Sequence, residues 1–147
     1  MYGNQFGDMA WMDLSVPNAE QVKGFYQKVL GWQSDAVNMT YGDETYVDFA
    51  MSSAGCDKAK TSTSASDDCS HSHGFATGIC HAKGNNADMP TMWLPYFIVK
   101  DIDAAVESVH FMGGSLVTKI KTIGDDHYVV IKDPAGAQCA LYQKGVS

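Results

Sequence analysis

The feature that most constrains this chain is an order of elements that occurs twice. At an offset of 83 residues, Val16-Pro17-Asn18 falls on Val99-Lys100-Asp101, and both places carry an alternating stretch, a cap residue and then a helical pattern. In the first copy, residues 10–16 put Met12, Leu14 and Val16 on one side and Trp11, Asp13 and Ser15 on the other, the period of a half-buried strand. Pro17 stops the ladder, and Asn18 with Gln21 three residues later predicts a boxed helix start. Ala19, Val22, Phe25, Tyr26, Val29 and Leu30 then recur at helical spacing as the buried face, up to a terminating Gly31. Extended stretches follow at residues 32–40, 45–52 and 75–81.

The second copy opens with Pro95, Phe97 and Val99 on one face and Leu94, Tyr96 and Ile98 on the other. Asp101 caps a helix carrying Ile102, Ala105, Val106, Val109 and Met112, which Gly113-Gly114 ends. Strands are expected at residues 115–123, 127–132 and 137–143, the last two joined by Asp133-Pro134-Ala135-Gly136 as a type I turn. The fold class that follows is α+β: two β-α-β-β-β modules, about 9–82 and 92–144, forming a cup-shaped, mostly antiparallel eight-stranded sheet with its helices outside.

Alternation assigns side chains to the cup. If the first helix packs on Met12, Leu14 and Val16, then Trp11, Asp13 and Ser15 point inward, as do Leu94, Tyr96 and Ile98. On the last strand the more apolar pair, Cys139 and Leu141, belongs under the helix, which leaves Gln138, Ala140 and Tyr142 for the cup. Trp11, Tyr96 and Tyr142, with Trp93 nearby, would form an aromatic wall suited to a planar ligand or a cation. The inward face of residues 127–132, and with it the place of Tyr128, is left open. Lys119, Lys121 and Lys132 read as a solvated strand face.

Charge excludes several functions. Seventeen acidic residues against ten basic give a net charge of −7, which disfavours nucleic acid and an anionic membrane surface as partners. All ten basic residues are lysines, so the planar fork that clamps phosphate at two points is missing. The opening residues contain no positive region followed by an apolar stretch, and no apolar run reaches a membrane span's length. With four cysteines in 147 residues, no disulfide framework is expected, and the chain is placed in the cytoplasm.

The stretches Trp11-Met12-Asp13-Leu14-Ser15-Val16-Pro17, Phe25-Tyr26, Leu30-Gly31-Trp32, Val99-Lys100-Asp101-Ile102-Asp103-Ala104-Ala105, Gly113-Gly114 and Asp133-Pro134-Ala135-Gly136 together resemble the vicinal oxygen chelate superfamily. That group contains glyoxalase I, extradiol dioxygenases and the fosfomycin and bleomycin resistance proteins, and the resemblance is to its single-chain, two-module branch. It implies a homodimer. It also implies metal ligands of His, Gln or Glu from the first and last strands of each module, and these positions fall on Trp11, Leu94, Ala140 and either Gly78 or Cys80. An indole, an isobutyl and a methyl group offer a divalent cation no donor, so no metal or other cofactor is expected at the family positions.

The remaining candidates follow from residue chemistry. Asp13, the carboxylate that alternation places in the cup, is either a base or anchor for a ligand or a partner for Ser15 and the backbone. The run Cys69-Ser70-His71-Ser72-His73, with Cys80-His81 downstream and Cys56 upstream, offers zinc donors at a spacing that matches no standard motif. Residues 53–74 read as an inserted flexible loop. The leading expectation is a protein that binds an apolar or aromatic small molecule without metal, through Trp11, Asp13, Ser15, Leu94, Tyr96, Gln138 and Tyr142. The alternative is a lyase, isomerase or dioxygenase using Zn, Ni, Mn or Fe on relocated ligands drawn from Asp13, Cys69, His71, His73, Cys80 and His81. A third reading is an interaction module whose cup is filled by its own side chains.

Overall fold

The computed structural model describes residues 2–53 and 77–146. In chain order these form β1 (Met9–Val16), α1 (Ala19–Leu30), β2 (Gln33–Tyr41), β3 (Glu44–Ser52), β4 (Thr77–His81), a 3-10 turn (Gly84–Asn86), β5 (Trp93–Ile98), α2 (Ile102–Phe111), β6 (Ser115–Leu116), β7 (Lys121–Ile123), β8 (Asp126–Lys132) and β9 (Gln138–Gln143). The chain is α+β, with one unclosed sheet in the order β2-β3-β4-β1-β5-β9-β8-β6 and β7 paired to β8. The sheet is mixed and has nine strands, which corrects the expected eight: β1 runs parallel to β4 and β5 parallel to β9, while the other six pairings are antiparallel.

The extra strand has a local cause. The stretch expected as one strand at residues 115–123 breaks where the amides of Val117 and Thr118 both reach the carbonyl of Val130, at 2.8 and 3.3 Å. Thr118 Oγ1 then accepts the Val130 amide at 3.1 Å. Two residues facing one is a bulge, and it divides the run into β6 and β7.

Both helices cover the same face of the sheet. Under α1 lie Leu14, Val16, Phe49, Met51 and Ile79, and under α2 lie Val129, Ile131 and Leu141 with Phe97. The α1 contact is narrower than its periodicity predicts. Ala19 is buried and Val22 and Tyr26 pack on the core, but Phe25, Val29 and Leu30 are exposed, so half of its apolar residues face outward. Met112 likewise stands exposed beyond α2. Asn18 precedes α1 without capping it. Its amide Nδ2 donates to Gln21 Oε1 at 3.0 Å and makes no bond to the first-turn amides. At the other end Gly31 takes the left-handed conformation, φ 71°, with its N–H on the Gln27 carbonyl. Asp101 caps α2 as predicted, accepting from the Ala104 amide at 3.1 Å.

Between β4 and β5 the chain crosses β1, because β1 lies between those strands in the sheet. This crossing lies on the helix-free face, where Met89 packs with Leu94, Tyr96 and Tyr128. Lys121 fastens it, donating to the Asn85 carbonyl and pairing with Asp88. Lys121 is therefore buried at 6% exposure, a correction to its reading as solvated. Among the described residues no helix is long and apolar enough to cross a membrane.

Ile79, fully buried where β4 lies between β1 and β3, carries much of the α1 core. Replacing it with Ala is expected to lower stability by about 2–5 kcal/mol, the range for truncating a core aliphatic. Urea unfolding checks this, and a loss under about 1 kcal/mol would show that the contacts beneath α1 are loose.

Candidate functional site

The helix-free face carries the site. Met39 of β2 and Ile123 of β7 come from opposite ends of the strand order yet line one cavity, so the sheet curves around it. That cavity, of about 150 Å³, also meets Asn86, Tyr96, Tyr128 and Tyr142. A second cavity of about 320 Å³ lies toward β2 and β3, against Val37, Ala50 and Gly78. The two share Trp11, Asp13, Met39, Asp48 and Cys80, and so form adjoining parts of one groove.

Strand register explains the gathering. Asp13 is opposite Gly78 in the parallel β1–β4 pair, and Trp11 is opposite Tyr96 across β1–β5. Trp11 stacks on Tyr96, with centroids 4.9 Å apart and planes 18° apart, and meets Tyr142 edge-on at 4.6 Å. The Trp11 ring is half-exposed to the groove, whereas Tyr96 and Tyr142 are buried behind it. Its indole Nε1–H donates to Asp13 Oδ2 at 2.9 Å, and the Gly78 amide donates to the same carboxylate. A Cβ built on Gly78 would overlap Asp13 Oδ1. Glycine is thus required at 78 by its neighbour: the Asp13 carboxylate fills the space where a side chain would stand.

Burial is the main cause that lifts the Asp13 acid to about 6, with Asp48 adding to it and the bond from Trp11 opposing it. Near neutral pH such a carboxylate can bind a cation or exchange a proton. Asp48 is itself buried, and its Oδ1 accepts from the His81 amide at 2.8 Å and lies 3.2 Å from His81 Nδ1. Cys80 donates its thiol to Asp48 and is held protonated by burial and by both carboxylates. Burial similarly raises Tyr96, and pushes Tyr128 up to about 12. Tyr128 donates its hydroxyl to Asn86 Oδ1 at 3.1 Å, and Tyr142 donates to Asp126.

Of the residues assigned to the cup by alternation, Trp11, Asp13, Tyr96 and Tyr142 meet at the groove. Leu94 packs beneath it as core. Ser15 is buried opposite Cys80 and lines neither cavity, and Gln138 lies at the far end of β9, its Oε1 without a partner among the described residues. Trp93 is on the other face, donating to the Tyr26 hydroxyl at 3.0 Å and packed on Trp32, so it is no part of the aromatic wall. The reason is alternation: Trp93 pairs with Leu14 of the helix side. Asp48, Val37 and Met39 are lining residues that the sequence reading did not single out. The signal for Asp48 was available, since Tyr46, Asp48 and Ala50 alternate with Val47, Phe49 and Met51.

Register also identifies the fourth family ligand position. Gly78 pairs with Asp13 as Ala140 pairs with Tyr96, 83 residues later, so Gly78 is the counterpart of Ala140. The four positions Trp11, Gly78, Leu94 and Ala140 therefore hold an indole, a hydrogen, an isobutyl and a methyl group. The indole N–H can only donate and is committed to Asp13, so this set does not fit a divalent cation. Nor do Asp13, Cys80 and His81 replace it: among the described residues no three His, Cys, Asp or Glu side chains converge on a metal-sized site. Cys69, His71 and His73, with the loop expected at residues 53–74, lie outside the described residues except for Ser53.

Two outcomes test this geometry. Because the folded protein keeps the Asp13 proton that the unfolded chain releases between about pH 4 and pH 6, this residue makes stability fall as pH rises through that window. Asp13→Asn keeps an oxygen for the Trp11 N–H and is expected to stabilise the fold by about 1–2 kcal/mol at about pH 8, with the gain fading toward about pH 4; melting across pH reads this. Gly78→Ala is expected to cost about 1–3 kcal/mol, and the cost should shrink in an Asp13→Ala background, where the obstructing carboxylate is gone.

The Glyoxalase/Bleomycin resistance protein/Dioxygenase superfamily matches residues 8–141. The anthracycline biosynthesis protein DnrV of Streptomyces peucetius is 32% identical over 142 residues, covering 95% of this chain and 48% of that protein. DauV of Streptomyces sp. (strain C5), another anthracycline biosynthesis protein, is 31% identical with the same coverage. The chain thus spans about half the length of the curated relatives it matches. Among solved structures, methylmalonyl-CoA epimerase from Mycobacterium tuberculosis superposes with a TM-score of 0.51 at 14% identity, covering 99% of this chain and 94% of that one, which shows a shared fold. With the family matched over nearly its whole length, the chain belongs to the glyoxalase, bleomycin-resistance and dioxygenase superfamily.

Proposed function

We propose that this protein binds an apolar, partly aromatic small molecule in the groove between β2 and β9, without the metal its family commonly uses. The observation that carries the reading is the almost wholly apolar cavity of about 320 Å³ with Trp11, Val37, Met39 and Ala50 as walls and Asp13 at its border. Cavities of this size, apolar with a few fixed polar groups, suit ligands of drug size. The side chains at the four family positions offer a divalent cation no lone pair, which supports a role independent of a Lewis acid, and the Asp13 carboxylate, mostly ionised near neutral pH, supplies a polar anchor. The relatives DnrV and DauV are named for anthracycline biosynthesis, and anthracyclines are planar fused-ring molecules of the kind an indole wall stacks against. Association into a homodimer belongs to the same reading, supported by the exposed Phe25, Val29 and Leu30 on α1, which sedimentation equilibrium would detect.

Titration of the protein with a panel of fused-ring aromatics, followed by calorimetry, is the test. At least one member is expected to bind with a micromolar constant that is unchanged by a chelator, and Trp11→Ala is expected to weaken it by about tenfold or more. Binding that appears only after loading with Zn, Ni, Mn or Fe(II), or that ignores the loss of Trp11, would overturn the proposal.

A further inference from the structure

Among the described residues, the groove is lined by two carboxylates and by no cationic side chain. Asp13 and Asp48 line both of its parts, and among the described residues no lysine or histidine lines either. The nearby cations are engaged elsewhere: Lys83 pairs with Glu44 at 3.0 Å, Lys121 with Asp88, and Lys23 sits over the Phe49 ring from α1. His81 reaches Asp48 without lining either cavity. What holds Asp13 is neutral, an indole N–H and a backbone amide. A carboxylate taken out of water normally has a charged partner; Asp48 has His81 at 3.2 Å, whereas Asp13, held by neutral groups, borders the smaller cavity beside Trp11, Tyr96, Tyr128 and Tyr142. Trp11 stands beside Asp13 with part of its ring facing that space, and an indole face attracts cations.

From this we infer that the groove selects ligands in which a protonated amine is joined to an apolar ring, with Asp13 as the charge partner of the ammonium, Asp48 as the second carboxylate and Trp11 as the surface for the ring. This rests on the small-molecule reading given above and specifies its ligand class. Near neutral pH the Asp13 acid, held at about 6, is mostly ionised, so the charge is present where the amine is also charged. The ammonium supplies Asp13 with a cation that none of the described lining residues provides, and the ring fills the apolar part of the groove. Uncharged rings are expected to bind the walls alone, and anionic ones to be repelled by both carboxylates.

Three probes of nearly one shape decide the matter: 2-(1-naphthyl)ethylamine, 2-(1-naphthyl)ethanol and 1-naphthylacetate, measured by calorimetry near neutral pH. The amine is expected to bind about tenfold or more tighter than the alcohol, with the acetate weakest. In Asp13→Asn, which leaves the indole bond an acceptor, the preference for the amine over the alcohol should fall to about threefold or less. A wild-type protein that binds amine and alcohol alike, or the acetate best, overturns the inference while the small-molecule reading stands. Failure of all three probes at millimolar concentration, in protein whose melting is normal, overturns both. An amine preference that survives Asp13→Asn also overturns the role assigned to Asp13, and Asp48→Asn, checked for folding by circular dichroism, then shows whether the second carboxylate carries it.

Discussion

The parallel pairing of β1 with β4, echoed by β5 with β9, is the constraint from which the rest of this structure follows. A parallel pair cannot be joined by a tight turn, so the chain between its members must travel, and here it supplies a helix and two further strands before returning. The result puts β1 and β5 side by side at the middle of the sheet, running antiparallel, with the later strands outside them. Trp11 and Asp13 sit at the centre for this reason, and Tyr96 and Tyr142 come within reach from the second half. A site that looks scattered over 130 residues is compact because its members occupy matching steps of neighbouring ladders.

Much of this could be read from period and spacing. The alternation in β1 and β5, the glycine end of α1, the aspartate cap of α2 and the 83-residue offset each encode local geometry directly, and they sufficed to bring Trp11, Asp13, Tyr96 and Tyr142 together. Other parts depend on contacts that no local pattern contains. A helix stripe of six apolar residues says nothing of how wide a strip the sheet will cover, so Phe25, Val29 and Leu30 were assigned to a core that does not extend that far. The break between β6 and β7 depends on how two amides share one carbonyl of Val130. Lys121 looked solvated because its partners, Asn85 and Asp88, come from a distant crossing segment. Trp93 was misplaced by closeness in sequence to Leu94, although adjacent strand residues face opposite ways.

The relation of Asp13 to Gly78 shows how a scaffold can keep its shape while its chemistry changes. At position 78, where the resemblance implies a metal ligand, this chain has only a hydrogen, and a carboxylate from the neighbouring strand occupies the space a side chain would take. The carboxylate of the groove thus stands on β1, held by an indole and a peptide amide. A carboxylate whose own partners are an indole N–H and a peptide amide suits a proton or an organic cation better than a divalent ion.

The crossing segment between β4 and β5 completes one wall of the groove. Asn86 holds the Tyr128 hydroxyl, Asn85 Nδ2 donates to the Thr122 carbonyl at 3.2 Å, and Met89 is packed among the tyrosines, so a stretch with no regular strand or α-helix sets how far apart the two halves of the groove stand. Pocket volume is thereby separated from the sheet that supports it. Because Asn86 lines the groove from outside the strand ladders, its substitution alters the wall without touching a strand pairing, which gives a fold of fixed topology a place to adjust its ligand space.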